Sequence, residues 1–186
     1  MKICISGPQG VGKSTLLKAI EELDAAKDFV LIKEIVRTLA KQGVKINKGA
    51  DHDSQCRILE QHYKNAISIP KFITDRCSID AFTYATWDYI EGKYTYEQHK
   101  IHEALCKESL NQYDLHFYIP IEFAMSEDGV RDTDIEYQKK IDILFRENYK
   151  RLNVKPIILR GSVEDRVVMF TSSVNDSRKS KKLILG

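Results

Sequence analysis

The chain has 186 residues, 42% of them apolar and 30% charged, with a net charge of +2. That length suits one domain with a full hydrophobic core. So small a net charge gives no argument for nucleic-acid or membrane binding unless a basic patch is local, and no apolar run approaches the roughly 18 residues that span a bilayer.

Taken in chain order, Lys2 to Ser6 reads as a short buried strand that runs straight into the glycine-rich stretch GPQGVGKST, Gly7 to Thr15. Thr15 to Leu23 reads as a helix with Leu16, Leu17, Ile20 and Leu23 on one face. Phe29 to Lys33 has strand length, Glu34 to Gln42 is helical up to Gly43, and Gly43 to Asp51 is loop-like. Asp53 to about Ile67 reads as a helix, Phe72 to Thr74 as a third strand ending at Asp75-Arg76, and Ser78 to about Tyr89 as another helix. After Gly92 a capping box, Thr95 with Gln98, opens the next helix. Leu115 to Ile119 is a fourth strand, and EDGVRDTD, Glu127 to Asp134, is a polar loop. Thr133 with Glu136 repeats the capping pattern ahead of a helix that turns Ile141, Leu144, Phe145 and Leu152 inward. Pro156 to Leu159 is the fifth strand, and Ser162 with Asp165 resembles a last helix start.

Strands alternating with helices predict an α/β fold: a three-layer sandwich with a five-stranded parallel sheet, helices on both faces and a short lid. The expected domain covers residues 1–174, followed by a basic, frayed tail, 175–186. Cys4, Cys56, Cys77 and Cys106 form no CxxC pair and read as reduced thiols rather than zinc ligands or disulfides. MKICISG leaves no room for a signal peptide, so the expected location is the cytoplasm, or the host cytoplasm if the protein is viral.

Gly7, Gly12, Lys13 and Ser14 match G-x-x-x-x-G-K-[ST], in the strand–loop–helix context that gives the motif meaning. The loop residues Gly7, Pro8, Gln9, Gly10, Val11 and Gly12 aim backbone N–H groups at phosphate oxygens, and the helix N-terminus adds positive charge. Lys13 reaches the β- and γ-phosphates, Ser14 offers a hydroxyl to Mg²⁺, and Thr15 assists nearby. A GTPase would carry N-K-x-D; here Asn47-Lys48-Gly49 is followed by Ala50. An AAA-type or helicase ATPase would end a strand in Asp-Glu; here it ends in Asp75-Arg76.

With GPQGVGKS, Lys33-Glu34 after strand two, Thr74-Asp75-Arg76 with Ser78, Asp128-Gly129 with Arg131, and a strand–Gly-Ser–helix ending, the chain resembles the P-loop kinases of nucleosides and nucleotides, especially deoxynucleoside and nicotinamide riboside kinases. Its overall character also resembles the phage kinases that phosphorylate 5-hydroxymethyluracil in DNA. The resemblance implies ATP and Mg²⁺ as cofactors and a γ-phosphoryl transfer to a hydroxyl. Glu34 is then the carboxylate that takes the proton of that hydroxyl, and Arg131 the lid arginine. It also implies an adenine pocket at Gly161 and Ser162, with Arg166 either flanking the base or exposed on its helix and paired with a carboxylate.

Asp75 could hold a metal-bound water and Arg76 a phosphate, with a structural Asp–Arg pair as the alternative. Arg37, three residues after Glu34, could orient that carboxylate, bind acceptor phosphate, or form a surface ion pair. Among Gln55, Arg57 and Gln61, Gln55 is the candidate for pairing with the acceptor's base. Phe82, Tyr84, Trp87, Tyr89, Tyr94 and Tyr96 could stack on a base, although packing explains most of them.

The single lid arginine, set among Glu127, Asp128, Asp132, Asp134 and Glu136, counts against an acceptor bearing its own phosphate. The leading acceptor is the hydroxymethyl group of 5-hydroxymethyl-deoxyuridine in DNA, favoured by the basic residues Arg178, Lys179, Lys181 and Lys182. A free nucleoside, nicotinamide riboside or nucleoside monophosphate is the alternative, and an ATP-binding regulatory module without transfer is the alternative of another class. The sequence does not speak to the oligomeric state.

Overall fold

The computed structural model describes residues 1–33, 35–45, 50–122 and 135–185, and of Arg37 and residues 181–185 the backbone only. Five parallel strands are β1 (Lys2–Ser6), β2 (Val30–Ile32), β3 (Phe72–Asp75), β4 (Leu115–Tyr118) and β5 (Ile157–Ile158). They lie in the order β2-β3-β1-β4-β5. Among the described residues, seven α-helices accompany them: α1 (Lys13–Glu21), α2 (Ile35–Lys41), α3 (His52–Ser68), α4 (Ser78–Ile90), α5 (Tyr96–Leu110), α6 (Ile135–Arg151) and α7 (Val163–Leu185). The expected five-stranded parallel sheet with helices on both faces is present.

The two-residue period of a strand sorts the core. In β1, Cys4 enters one apolar cluster with Leu59, Phe82 and Phe145. Ile3 and Ile5 enter the other with Leu16, Leu17, Ile20 and Phe170. β4 divides in the same way, Tyr118 to the first cluster and Phe117 to the second. Helices α2 to α6 therefore cover one face of the sheet, and α1 and α7 the other. A central strand buried on both faces explains why KICIS reads as nearly continuous apolar sequence.

β1 is flanked by β3 and β4, with Ile5 in register with Asp75 and Ser6 with Tyr118. Chain direction away from β1 splits here, which opens a crevice at the strands' carboxyl ends, where ligands of such sheets sit.

Local signals locate most helix starts. Thr95 and Gln98 exchange hydrogen bonds of 2.9 and 3.2 Å, and so do Ser162 and Asp165. Two further caps were not anticipated: Asp51 accepts from the Ser54 N–H at 2.9 Å, and Asp80 accepts from the Cys77 N–H at 3.0 Å. α1 begins at Lys13 rather than Thr15, because Gly12 in the left-handed region closes the glycine loop directly onto the helix.

α7 crosses residue 174 without interruption and continues to Leu185. Val174 is buried. Arg178 donates to the Ala25 carbonyl at 3.1 Å, pairs with Asp28 at 3.2 Å and lies over the Phe29 ring. These contacts tie a polar helix to the body of the protein where composition alone suggests fraying. Thr133 and the polar loop 127–134 lie outside the described residues.

Three buried or half-buried histidines carry a pH consequence. Burial, aided by the nearby Arg76 charge, holds His62 down at about 3. Burial likewise holds His102 and His116 at about 4. An unfolded histidine titrates near 6.5, so the unfolded chain binds more protons below that pH. Stability should therefore be full above pH 6.5 and fall as pH drops from there toward 3. For fully buried His62 the slope approaches about 1.4 kcal/mol per pH unit. Thermal melts of His62→Gln should show a shallower loss between pH 7 and pH 5 than wild type; parallel curves would refute the assignment.

Candidate active site

The loop between β1 and α1 is shaped by two glycines. Gly7 has φ +146°, and a Cβ there would lie 2.3 Å from the Ile119 carbonyl oxygen. Gly12 has φ +90° and supplies the cap of α1 without any side-chain hydrogen bond, and the helix's first turn carries no acidic residue. The first turn of α1 thus carries no carboxylate of its own to compete for its N–H groups, as an anion site requires. Lys13, buried, folds back to donate to the Gly7 and Pro8 carbonyls at 2.5 and 2.7 Å. Its ammonium is held across the mouth of the loop.

Parallel pairing of β1 with β3 brings the second half of the site alongside. Ser14 Oγ donates to Asp75 Oδ2 at 3.1 Å. A hydroxyl and a carboxylate so close are the hard oxygen donors that Mg²⁺ prefers, so these two residues fit the ion that the resemblance implies. Thr15, the next residue, is exposed.

Arg76 leaves β3 at φ +95°, a conformation that costs a non-glycine residue of order 1–3 kcal/mol. Its N–H bonds the Ile5 carbonyl at 2.9 Å, which anchors the turn to the central strand. Burial works against the Arg76 charge, and Tyr84, Asp80 and Asp75 more than offset it. Burial raises Asp80, while Lys13 and then Arg76 pull it back toward ionisation. Burial raises Tyr84, and the Arg76 charge, with the backbone of Gln9 in the glycine loop, works against that rise, which places the hydroxyl beside both. The result is a buried polar chain from the phosphate loop through Lys13, Asp80, Arg76 and Tyr84 back to the loop.

α3 lies beside this chain. Gln55 and His62, two turns apart and so on one side of the helix, are both buried. Gln55 Oε1 and His62 Nδ1 have no hydrogen-bond partner among the described residues. A buried amide oxygen left open costs about 1–3 kcal/mol, and a ligand donor would remove that cost. The other two candidates on α3 differ: Arg57 is exposed, and Gln61 donates to Asn65 on its own helix at 2.9 Å.

A family model described as an AAA domain matches residues 2–166. The chain belongs to that family. The Asp75-Arg76 strand end, read in the sequence as speaking against an AAA-type ATPase, therefore did not exclude the family under that name. No curated protein sequence matches the chain.

Solved structures resemble it in fold. NadR in complex with NR superposes with a TM-score of 0.70 at 15% identity, over 95% of this chain and 50% of NadR. Deoxyadenosine kinase from M. mycoides, with dCMP and dCDP, gives a TM-score of 0.67 at 18% identity, over 95% of this chain and 99% of that one. Thymidylate kinase from Candida albicans gives 0.61 at 14% identity, over 95% and 92%. The fold is that of the P-loop nucleoside and nucleotide kinases, and the chain spans about half the length of NadR.

Within this family member, several expected site residues have structural partners. Arg166, only 5% exposed, donates to the Val11 carbonyl at 2.8 Å and pairs with Glu122 at 3.2 Å. Glu122 also accepts from the Gly161 N–H at 2.8 Å. Arg166 thus braces the outside of the glycine loop, which matches the carboxylate-paired alternative in partner but not in exposure. Arg166→Ala should destabilise the fold by about 3 kcal/mol, near the low end for breaking a buried pair because Gly161 and Arg160 still neutralise Glu122. For a chain of this size that is a fall of about 6–12 °C in Tm; an unchanged Tm would remove the bracing role.

Ser162 caps α7 with Asp165, and a Cβ on Gly161 would meet Asp165 Oδ2 at 2.6 Å. The aromatic residues divide. Tyr84 belongs to the site through its hydroxyl. Phe82 and Tyr89 stack on the two sides of His99 at 5.2 and 4.6 Å, and Trp87 packs edge-on against Tyr137. Tyr94 packs against histidines of α3 and α5, and Tyr96 is exposed.

Glu34, Arg131 and Asn47-Lys48-Gly49 lie outside the described residues, as does the side chain of Arg37. Asp80, His62 and Glu122 were missed in the sequence. For Asp80 a signal existed, its spacing three residues after Cys77; the others had none. Among the described residues no helix is long and apolar enough to cross a membrane.

Proposed function

We propose that the chain is an ATP-dependent kinase that transfers the γ-phosphoryl group to a hydroxyl of a nucleoside-like acceptor. The observation that carries this reading is the pairing of a phosphate loop with a buried, ligand-ready polar wall: Ser14 on Asp75 at 3.1 Å, Arg76 beside it, and Gln55 with an amide oxygen that has no partner among the described residues. A pure ATP-binding module has no need of that second wall. The relatives' names point the same way, since two are kinases of a deoxynucleoside and of a nucleotide.

In this reading the loop N–H groups and Lys13 hold the triphosphate, and Lys13 and Arg76 take up charge as the γ-phosphoryl group moves. Ser14 and Asp75 would hold Mg²⁺, which would supply neutralisation of the phosphate charge. Glu34 takes the proton of the attacking hydroxyl. In the sequence it comes two residues after β2, whose Ile32 is in register with Thr74. Arg131 closes from the lid loop, Arg37 stands near Glu34, and Gly161 and Ser162 approach the adenine. Gln55 pairs with the edge of the acceptor's base.

For the acceptor, 5-hydroxymethyl-deoxyuridine in DNA and a free nucleoside remain the two versions. Of the basic residues that favoured DNA, Arg178 is tied to Asp28 and Ala25, just before β2 begins. That is the amino-terminal edge of the sheet, opposite the phosphate loop, so Arg178 lends no support to DNA at the site. The buried Gln55 suits a free nucleoside, or a base flipped fully out of a duplex.

The deciding experiment supplies γ-³²P ATP with hydroxymethyluracil-containing DNA, plain DNA, and free nucleosides including nicotinamide riboside. Label in the modified DNA alone selects the DNA version, and label in a free nucleoside selects the other. ATP binding without label in any acceptor overturns the kinase reading.

A further inference from the structure

Away from the phosphate loop, three metal-ligating side chains converge where α3 packs on α5. His52 and Cys56 lie one turn apart on α3, and His102 comes from the middle of α5. His52 Nδ1 is 3.0 Å from His102 Nε2, and Cys56 Sγ is 3.9 and 3.8 Å from the two ring nitrogens of His52. One ligand atom from each residue lies within 4.8 Å of the others. We propose that His52, Cys56 and His102 form a binding site for a zinc-class transition metal ion, separate from the phosphate site.

The geometry is close to what such an ion needs. Zn–N bonds of about 2.0–2.1 Å and a Zn–S bond of about 2.3 Å put tetrahedral ligands about 3.3 to 3.6 Å apart. The His52–His102 and Cys56–His52 separations differ from these by a few tenths of an ångström, and the widest spacing in the group, within 4.8 Å, must close by side-chain rotation when the ion binds. Two imidazoles with nitrogens 3.0 Å apart can share one proton at most, and a cation between them satisfies both lone pairs. Two nitrogens and a thiolate form a borderline-soft donor set, which favours Zn²⁺, Co²⁺ or copper over Mg²⁺ or Ca²⁺. On binding, Cys56 releases its thiol proton to solvent, both imidazoles bind in the neutral form, and a fourth position remains for water.

A second observation points to a ligand here. Tyr94 is 7% exposed and packs edge-on against both imidazoles, with ring centroids 6.4 and 5.2 Å away. Its hydroxyl has no hydrogen-bond partner among the described residues. An open hydroxyl beside a His–Cys–His group is what a water on the ion's fourth position would complete. The ion would also pin the first turn of α3, where Gln55 sits between His52 and Cys56.

The test uses the full chain, stripped with chelator and titrated with Co²⁺ under reducing, anaerobic conditions. One equivalent should develop the visible bands of tetrahedral cobalt and a near-ultraviolet thiolate-to-cobalt charge-transfer band. Zn²⁺ should displace both. Cys56→Ser, a near-isosteric change at a half-exposed position, should abolish the charge-transfer band. Cobalt at Ser14 and Asp75 cannot produce that band, and Cys4, Cys77 and Cys106 are fully buried. Zn²⁺ should raise the Tm of wild type by about 5–10 °C at a hundredfold excess over Kd, and leave Cys56→Ser unmoved. A charge-transfer band that fails to appear, or one that survives in a folded Cys56→Ser, would overturn the site.

Discussion

Lys13→Met should lower kcat/KM for phosphoryl transfer about 10³-fold, equivalent to about 4 kcal/mol of transition-state stabilisation. The ammonium is held by the fold itself: the Gly7 and Pro8 carbonyls accept from it at 2.5 and 2.7 Å, and Asp80 faces it from α4. Its orientation is therefore settled by folding and not at the moment of reaction, which is the condition under which a buried charge contributes most. Methionine keeps the length and the packing of the stem and removes only the charge. The measurement is steady-state transfer with an acceptor found by the labelling experiment, alongside a thermal melt. A folded Lys13→Met retaining more than a tenth of wild-type kcat/KM would show that the loop does not hold the transferring phosphates as proposed.

Glu34→Gln should cost between about 10² and 10⁴ in kcat, the range for a lost general base, and leave the Kd for ATP within a factor of about two. The two effects separate because the amide keeps the size and hydrogen-bonding capacity of the side chain but cannot take a proton. Nothing assigned to Glu34 touches the triphosphate, so ATP binding should not register the change. A fall in ATP affinity with undiminished kcat would move Glu34 from the acceptor to the nucleotide. Undiminished values of both would leave the attacking hydroxyl without a base and sink the proposed chemistry at this residue.

The parts of the site legible in the sequence are those built from neighbours along the chain. GPQGVGKS declares a phosphate loop because the glycine turn, the lysine and the helix start are consecutive. The Asp75-Arg76 strand end and the Thr95–Gln98 and Ser162–Asp165 boxes are legible for the same reason. Asp80 could have been found by the same reasoning, since it closes a box with Cys77.

Contacts between distant residues were not legible. Arg166 meets Val11 across 155 positions and Arg178 meets Ala25 across 153. From composition, one resembles a base-flanking arginine and the other a frayed tail. Gln55 was singled out from three polar residues on one helix, but its distinguishing property, a buried and open amide oxygen, depends on what packs over α3. Cys56 reads as an ordinary thiol until α5 brings His102 to it across 46 positions.

By itself the sequence determined that this is a single α/β chain with a triphosphate loop at the end of its first strand, because strand period, glycine turn and helix cap are all decided within a few residues. Only the tertiary structure decided that β3 lies against β1, which puts Asp75 on Ser14, and that α3 and α5 bring two histidines and a cysteine together. Strand order and helix packing are set by how two apolar faces of one sheet are covered at once. That is a property of the whole chain, and no short stretch of it carries the information.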